Sequence, residues 1–174
     1  GGGAARAFSV DGYGLDAWKK LFTPRQLVTL CSLTLEIRRV RELPSGEMPL
    51  EWAEAIQAML AIALDRTANY LSTICIWESK AEEVKQTFLR YALPITWDFA
   101  EGNPLAFNDR FMAGAVSNVA QVLERLNTEA MRNAIAPKVK NDSATGNFGL
   151  YDVIVTDPPY YDAIPYSDLM DFFF

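Results

Sequence analysis

Asp157-Pro158-Pro159-Tyr160 is the stretch whose residue types and spacing do chemistry. It follows Val153, Ile154, Val155 and Thr156, a short continuous β-forming run that reads as a strand buried on both faces of a parallel sheet. Ligand sites of open α/β sheets lie just beyond the carboxyl ends of such strands, where this acid stands. Pro158 and Pro159 have no N–H and a fixed φ, so the loop is stiff, with free carbonyls and a defined direction for Tyr160. A carboxylate, a carbonyl that cannot swing away and an aromatic face suit a planar amine. An exocyclic nucleobase amine would give one hydrogen to Asp157 and the other to the Pro158 carbonyl, while its ring stacks on Tyr160. Held in this way, the nitrogen lone pair is drawn out of conjugation and aimed at an electrophile, as amine methylation requires.

Other chemistries are narrowed by composition. The 174 residues contain no histidine, which removes the usual general base, the Ser-His-Asp triad and most zinc sites. Only Cys31 and Cys75 are present, far apart and outside any C-x-x-C pair, so neither a disulfide framework nor a zinc ribbon is read, no metal ligands are assigned, and a reducing, cytoplasmic setting is expected. A net charge of -6 confines any nucleic-acid contact to a local patch. Half of the residues are apolar, enough for a core, while the longest apolar stretch is broken at Asp65 and Arg66, short of a membrane span.

Helices are expected to position the tetrad. Thr23, Pro24 and Gln26 form a capping box with proline at the first helical position, Phe22 is placed to staple Leu27, and the periodicity predicts a helix over 24–43 with Cys31 and Ile37 on its apolar side. A central helix is predicted over 49–77, interrupted by Asp65, Arg66 and Asn69, which need polar partners within the helix or across to a neighbouring element, or contact a substrate. A shorter helix is expected over 80–91 and another over 113–135. Between them, Pro94, Gly102 and Pro104 mark a loop crowded with Trp97, Asp98, Phe99 and Glu101, either an ordered connector or the wall of a ligand pocket. Beyond residue 136 the texture changes to short strand-like runs and turns, with Gly146 and Gly149 read as turn residues.

The tetrad after a hydrophobic run is the signature of amino-methyltransferases acting on adenine or on N4 of cytosine. A longer match is more specific. "YGLDAWKKLFTPRQL", "ALDRTANYLSTICIW", "WDFAEGNP" and "VIVTDPPYYDAIPYSDLMDFF" together resemble the middle of the large prokaryotic adenine-specific DNA methylases that also carry a zinc ribbon, a likeness covering 12–174. The resemblance implies S-adenosyl-L-methionine as methyl donor and DNA as partner, with restriction or phage-defence proteins as candidate associates. It also implies that Asp157 and Pro158 hold the target amine of a flipped adenine and that Tyr160 stacks on the base, with Pro159 the remaining member of the catalytic tetrad. Asp142, in "VKNDSAT", resembles the acid that lies against the cofactor adenine, or else belongs to a plain turn. Asp162 extends the motif or caps the following helix. Arg38, Arg39, Arg41, Lys138 and Lys140 contact phosphates or form solvated faces.

The expected fold is thus α/β: a helical region over 1–136, then part of a Rossmann-like methyltransferase sheet over 137–174 that carries the motif. Gly1-Gly2-Gly3 at one end and Phe172-Phe173-Phe174 at the other suggest a fragment of a larger protein, whose relatives carry a glycine-rich cofactor turn and paired cysteines upstream. Two alternatives remain beside DNA methylation. Asparagine-containing forms of the tetrad serve in methylation of RNA bases and of protein glutamine, and a non-catalytic interaction fragment would keep the motif as a relic.

Overall fold

The computed structural model describes residues 8–42, 48–89, 92–146, 149–158, 160 and 164–173. It contains helices α1 (Pro24–Arg39), α2 (Leu50–Asn69) and α3 (Met112–Leu126), two short ones, α4 (Glu129–Arg132) and α5 (Tyr166–Met170), and strands β1 (Trp77–Glu78) and β2 (Glu83–Val84). The strands pair antiparallel, Trp77 opposite Val84 and Glu78 opposite Glu83. The architecture is α/β in the coarse sense, helices with one small sheet. No described helix is long and apolar enough to cross a membrane.

Helix α1 begins as its capping box dictates: the Thr23 hydroxyl accepts from the Gln26 N–H at 3.3 Å, and Gln26 Oε1 accepts from the Thr23 N–H at 2.8 Å. A 3₁₀ turn, Val40–Glu42, continues it. Ile37 is buried as expected, but Cys31 is exposed, because α1 meets its neighbour through the face that carries Gln26 and Ile37. Phe22, expected to staple Leu27, stacks on Phe172.

Helix α2 packs α1 on one side and α3 on the other. It ends at Asn69 and not at the expected Trp77. A further turn would need the Asn69 carbonyl to accept from the Thr73 N–H. That donor instead goes to the Leu21 carbonyl at 2.6 Å. The Asn69 carbonyl accepts from the Thr87 N–H at 2.7 Å and the Thr87 hydroxyl at 2.9 Å. The interrupting polar residues act as a clamp between elements: Arg66 Nε donates to the Asp109 carbonyl at 2.8 Å, and Asn69 Oδ1 accepts from the Phe88 N–H at 3.2 Å. Burial pushes the Asp65 carboxyl up from its ordinary range.

The helix expected over 80–91 does not form in its described part. Residues 77–84 make the β1–β2 hairpin, whose turn places Glu82 at a φ of 52°, in the left-handed region a helix cannot use. Glu83 is held there by Lys85 at 2.6 Å and by Arg110, a tertiary pull that overrides local helix propensity. The helix expected over 113–135 divides at Asn127, after which the Thr128 hydroxyl caps α4 by accepting from the Met131 N–H at 3.3 Å. Gly114 lets α3 lie against the backbone of Asn108 and Asp109, where a Cβ would collide.

The expected strand over Val153, Ile154, Val155 and Thr156 is the main correction. These residues are exposed, Val155 at 90%, and no strand is formed by them. A parallel strand takes its hydrogen bonds from flanking strands and its burial from covering helices, and the only sheet among the described residues is the distant hairpin.

The aromatic-rich core lies beyond the C-terminal end of α2. Val10, Leu21, Ile74 and Leu93 are its buried centre, with Phe8, Trp18, Phe22, Phe88 and Phe172 packed around them. Phe172, near the end of the chain, is therefore a core-facing residue.

Candidate functional site

Four separate stretches of sequence are wired together at this core. The Leu21 carbonyl accepts from the N–H of Thr73 at 2.6 Å and from its hydroxyl at 2.9 Å, which joins the segment before α1 to the segment after α2. The Cys75 carbonyl accepts from the Ala100 N–H at 2.9 Å, and the Ile74 carbonyl accepts from the Thr96 hydroxyl at 3.2 Å, which brings in the loop after residue 94. Arg25 ion-pairs with Glu101 of that loop, and Tyr13 meets Trp97 edge-on at 5.5 Å. Phe172 adds the segment after the D-P-P-Y tetrad through its contacts with Trp18, Phe22 and Phe88. These are the four stretches quoted above for their methylase likeness.

Within this framework the 94–104 loop is an ordered connector. Gly102 leaves room for the Phe111 ring, which its Cβ would strike. Hydrogen bonds from Arg25 hold the Glu101 carboxyl below its ordinary range. Ser72, Cys75 and Thr87 are buried together. Ser72 Oγ and Thr87 Oγ1 are 2.7 Å apart, and Cys75 Sγ lies 3.5 Å from Ser72 Oγ. Burial pushes the Cys75 thiol up, so it stays protonated and inert.

A cleft of about 250 Å³ opens beside the core. Leu15, Trp18 and Leu93 contribute to its apolar lining, and Asp11, Asp16, Asp168 and Asp171 bring carboxylates to it. Asp168 belongs to α5 and Asp171 follows it. Asp16 is paired with Lys20 at 2.6 Å, and the hydrogen bond from that lysine lowers its pKa. An apolar lining with acidic groups suits a small hydrogen-bond donor.

Asp157 and Pro158 are exposed, and Tyr160 is 64% exposed. Among the described residues none of the three has a hydrogen-bonding, ionic or ring partner. Pro159 and Asp162 lie outside the described residues. Asp142 is exposed in a turn, its Oδ1 accepting from the Ser143 N–H at 2.8 Å, and that turn closes with the Gly146 N–H on the Ser143 carbonyl at 3.0 Å. Gly149 has a φ of 90°, as a turn glycine does. Nothing described links Asp142 to Asp157, and neither lines the cleft. The described residues therefore do not assemble a pocket for S-adenosylmethionine. Among the described residues no group of three or more acids or cysteines could hold a metal ion. Of the basic residues, Arg39 is paired with Glu36 at 2.6 Å and Arg41 with Glu54 at 2.7 Å.

Compared with known protein families, with curated proteins and with solved structures, the chain matches none.

The Arg25–Glu101 pair and the Phe172 contacts were missed in the sequence. Arg25 and Glu101 are 76 residues apart, and no spacing rule connects them. The one signal for Phe172 was its apolar character beside a helix-forming stretch.

Proposed function

We propose that this chain is part of an S-adenosylmethionine-dependent DNA methyltransferase acting on the exocyclic amine of a flipped adenine, with N4 of cytosine as the alternative target. The observation that carries the reading is the tetrad itself: an acid, a proline carbonyl and a tyrosine in an exposed loop without protein partners among the described residues, open to a polymer substrate. The convergence of the other methylase-like stretches on the core that anchors the segment after the loop supports it.

In this reading Asp157 and the Pro158 carbonyl each accept one amine hydrogen, Pro159 stiffens the turn and Tyr160 stacks on the base. Positioning both hydrogens directs the nitrogen lone pair, and the amine proton shed on methylation is nearest Asp157. The electrophilic methyl group is assigned to S-adenosylmethionine by the resemblance alone, and Asp142 as its adenine contact has the same standing. A Rossmann-like sheet belongs to the same reading, in which Val153 to Thr156 become a strand once flanking strands are present.

The test, made on the full protein of which this chain is proposed to be a part, is transfer of a labelled methyl group from S-adenosylmethionine to duplex DNA, RNA and protein acceptors presented separately. Incorporation into adenine of DNA, abolished by Asp157→Ala, is the expected result. Transfer to RNA or to a protein glutamine would move the substrate. The non-catalytic reading is favoured by the apolar grooves flanking the α2–α3 seam, where Trp52 is 67% exposed, and it predicts no transfer to any acceptor.

A further inference from the structure

The D-P-P-Y loop is held very differently on its two sides. Every described residue from 137 to 158 is exposed, so no described side chain on the N-terminal side of the loop is buried. On the C-terminal side Ile164 is only 8% exposed, α5 follows directly, and Phe172 turns back into the core. Its ring meets Phe88 edge-on at 4.9 Å and Trp18 edge-on at 5.6 Å, and stacks on Phe22 at 5.7 Å. These are the separations of attractive aromatic pairs, and the three partners come from two distant parts of the chain, Trp18 and Phe22 before α1 and Phe88 after the hairpin.

We propose that Phe172 is the positioning residue of the D-P-P-Y loop: its aromatic cage fixes α5, and α5 sets where Asp157 and Tyr160 stand. The positioning role in turnover rests on the amine-clamp reading above, whereas the anchoring of the loop rests on the ring contacts alone. A clamp that aims a lone pair tolerates little displacement, and a loop next to a buried aromatic anchor takes its position in part from that anchor. Loss of the anchor leaves Asp157 and Tyr160 chemically intact but spread over many positions.

Two cysteines make the anchor measurable without any activity. Cys31 is exposed on α1 and reactive to labels, whereas Cys75 is buried. With Tyr160→Cys introduced, paired spin labels at positions 31 and 160 report the distance between α1 and the loop by double electron–electron resonance. The expected result is a narrow distribution with Phe172 or Phe172→Tyr, which keeps the ring, and one at least twofold broader with Phe172→Ala. Circular dichroism should show unchanged helicity. Where Phe172→Ala does not fold, Phe172→Leu, which removes the ring but keeps much of the volume, is measured in its place. An equally broad distribution with Phe172 present, or no broadening when the ring is removed, overturns the proposal.

Labelled-methyl transfer, measured with Tyr160 in place, supplies the second arm. Phe172→Ala should lower kcat at least tenfold, leave duplex affinity within threefold, and be rescued by Phe172→Tyr. A broadened loop with unchanged kcat overturns the positioning role. Absence of transfer from the unaltered full protein to every acceptor removes the methyltransferase reading and with it that role, while the distance distribution still decides the anchor.

Discussion

The Arg25 guanidinium grips the Glu101 carboxylate with two nitrogens, Nε donating to Oε1 at 2.7 Å and Nη2 to Oε2, and so ties the first turn of α1 to the loop after residue 94. A two-pronged pair fixes direction as well as distance. Because Arg25 is largely exposed, its contribution to stability is modest and salt-dependent.

That pair gives a defined pH response. The folded Glu101 pKa lies below its ordinary value of 4.5, through hydrogen bonds from Arg25. A depressed carboxylate contributes stability that is complete above the ordinary value and is lost as the pH falls through the lower folded value. Urea midpoints measured across this acid range should fall less steeply in Glu101→Gln than in the unaltered chain, and high salt should shrink the difference. Identical slopes would show that the pair contributes nothing.

Thr23→Ala should lower stability by about 1 kcal/mol, the usual cost of losing a helix cap, because the Gln26 N–H loses its acceptor. Thermal melts check the magnitude. Under the proposed function, methyl transfer by the full protein should survive the substitution, since the cap only starts α1.

Val155→Lys should change stability by less than about 0.5 kcal/mol, as expected for a surface position. Val155 is 90% exposed. On a strand buried on both faces, the same lysine would cost several kcal/mol in desolvation. Chemical denaturation of the two proteins separates these cases, and a large loss would mean that the run is covered in solution.

Within the tetrad the proposed clamp sets an order of methylation rates. Asp157→Ala removes the charged acceptor and should lower turnover by about a hundredfold or more. Asp157→Asn keeps one acceptor oxygen and should be milder. Tyr160→Phe should stay close to the unaltered rate, whereas Tyr160→Ala loses roughly 1 to 3 kcal/mol of base stacking. Wild-type transfer by a folded Asp157→Ala protein would falsify the assignment.

By itself the sequence determined what is settled within a few residues. The capping box of Thr23 and Gln26, the existence of α1, α2 and α3 and the turn at Gly146 follow from local hydrogen bonds, hydrophobic period and backbone restriction. That Arg66 and Asn69 need polar partners was legible too, but not that these are Asp109 and Phe88. Only the tertiary structure decided where distant groups compete for the same atoms. The Thr73 N–H had a local acceptor at Asn69 and took Leu21, which ended α2 early. Glu83 lay in a helix-forming stretch and pairs with the distant Arg110 as well as the nearby Lys85, in a hairpin. Val153, Ile154 and Val155 have the side chains of a buried strand, yet burial belongs to the neighbours that cover a strand and not to the strand itself, and here these residues face solvent.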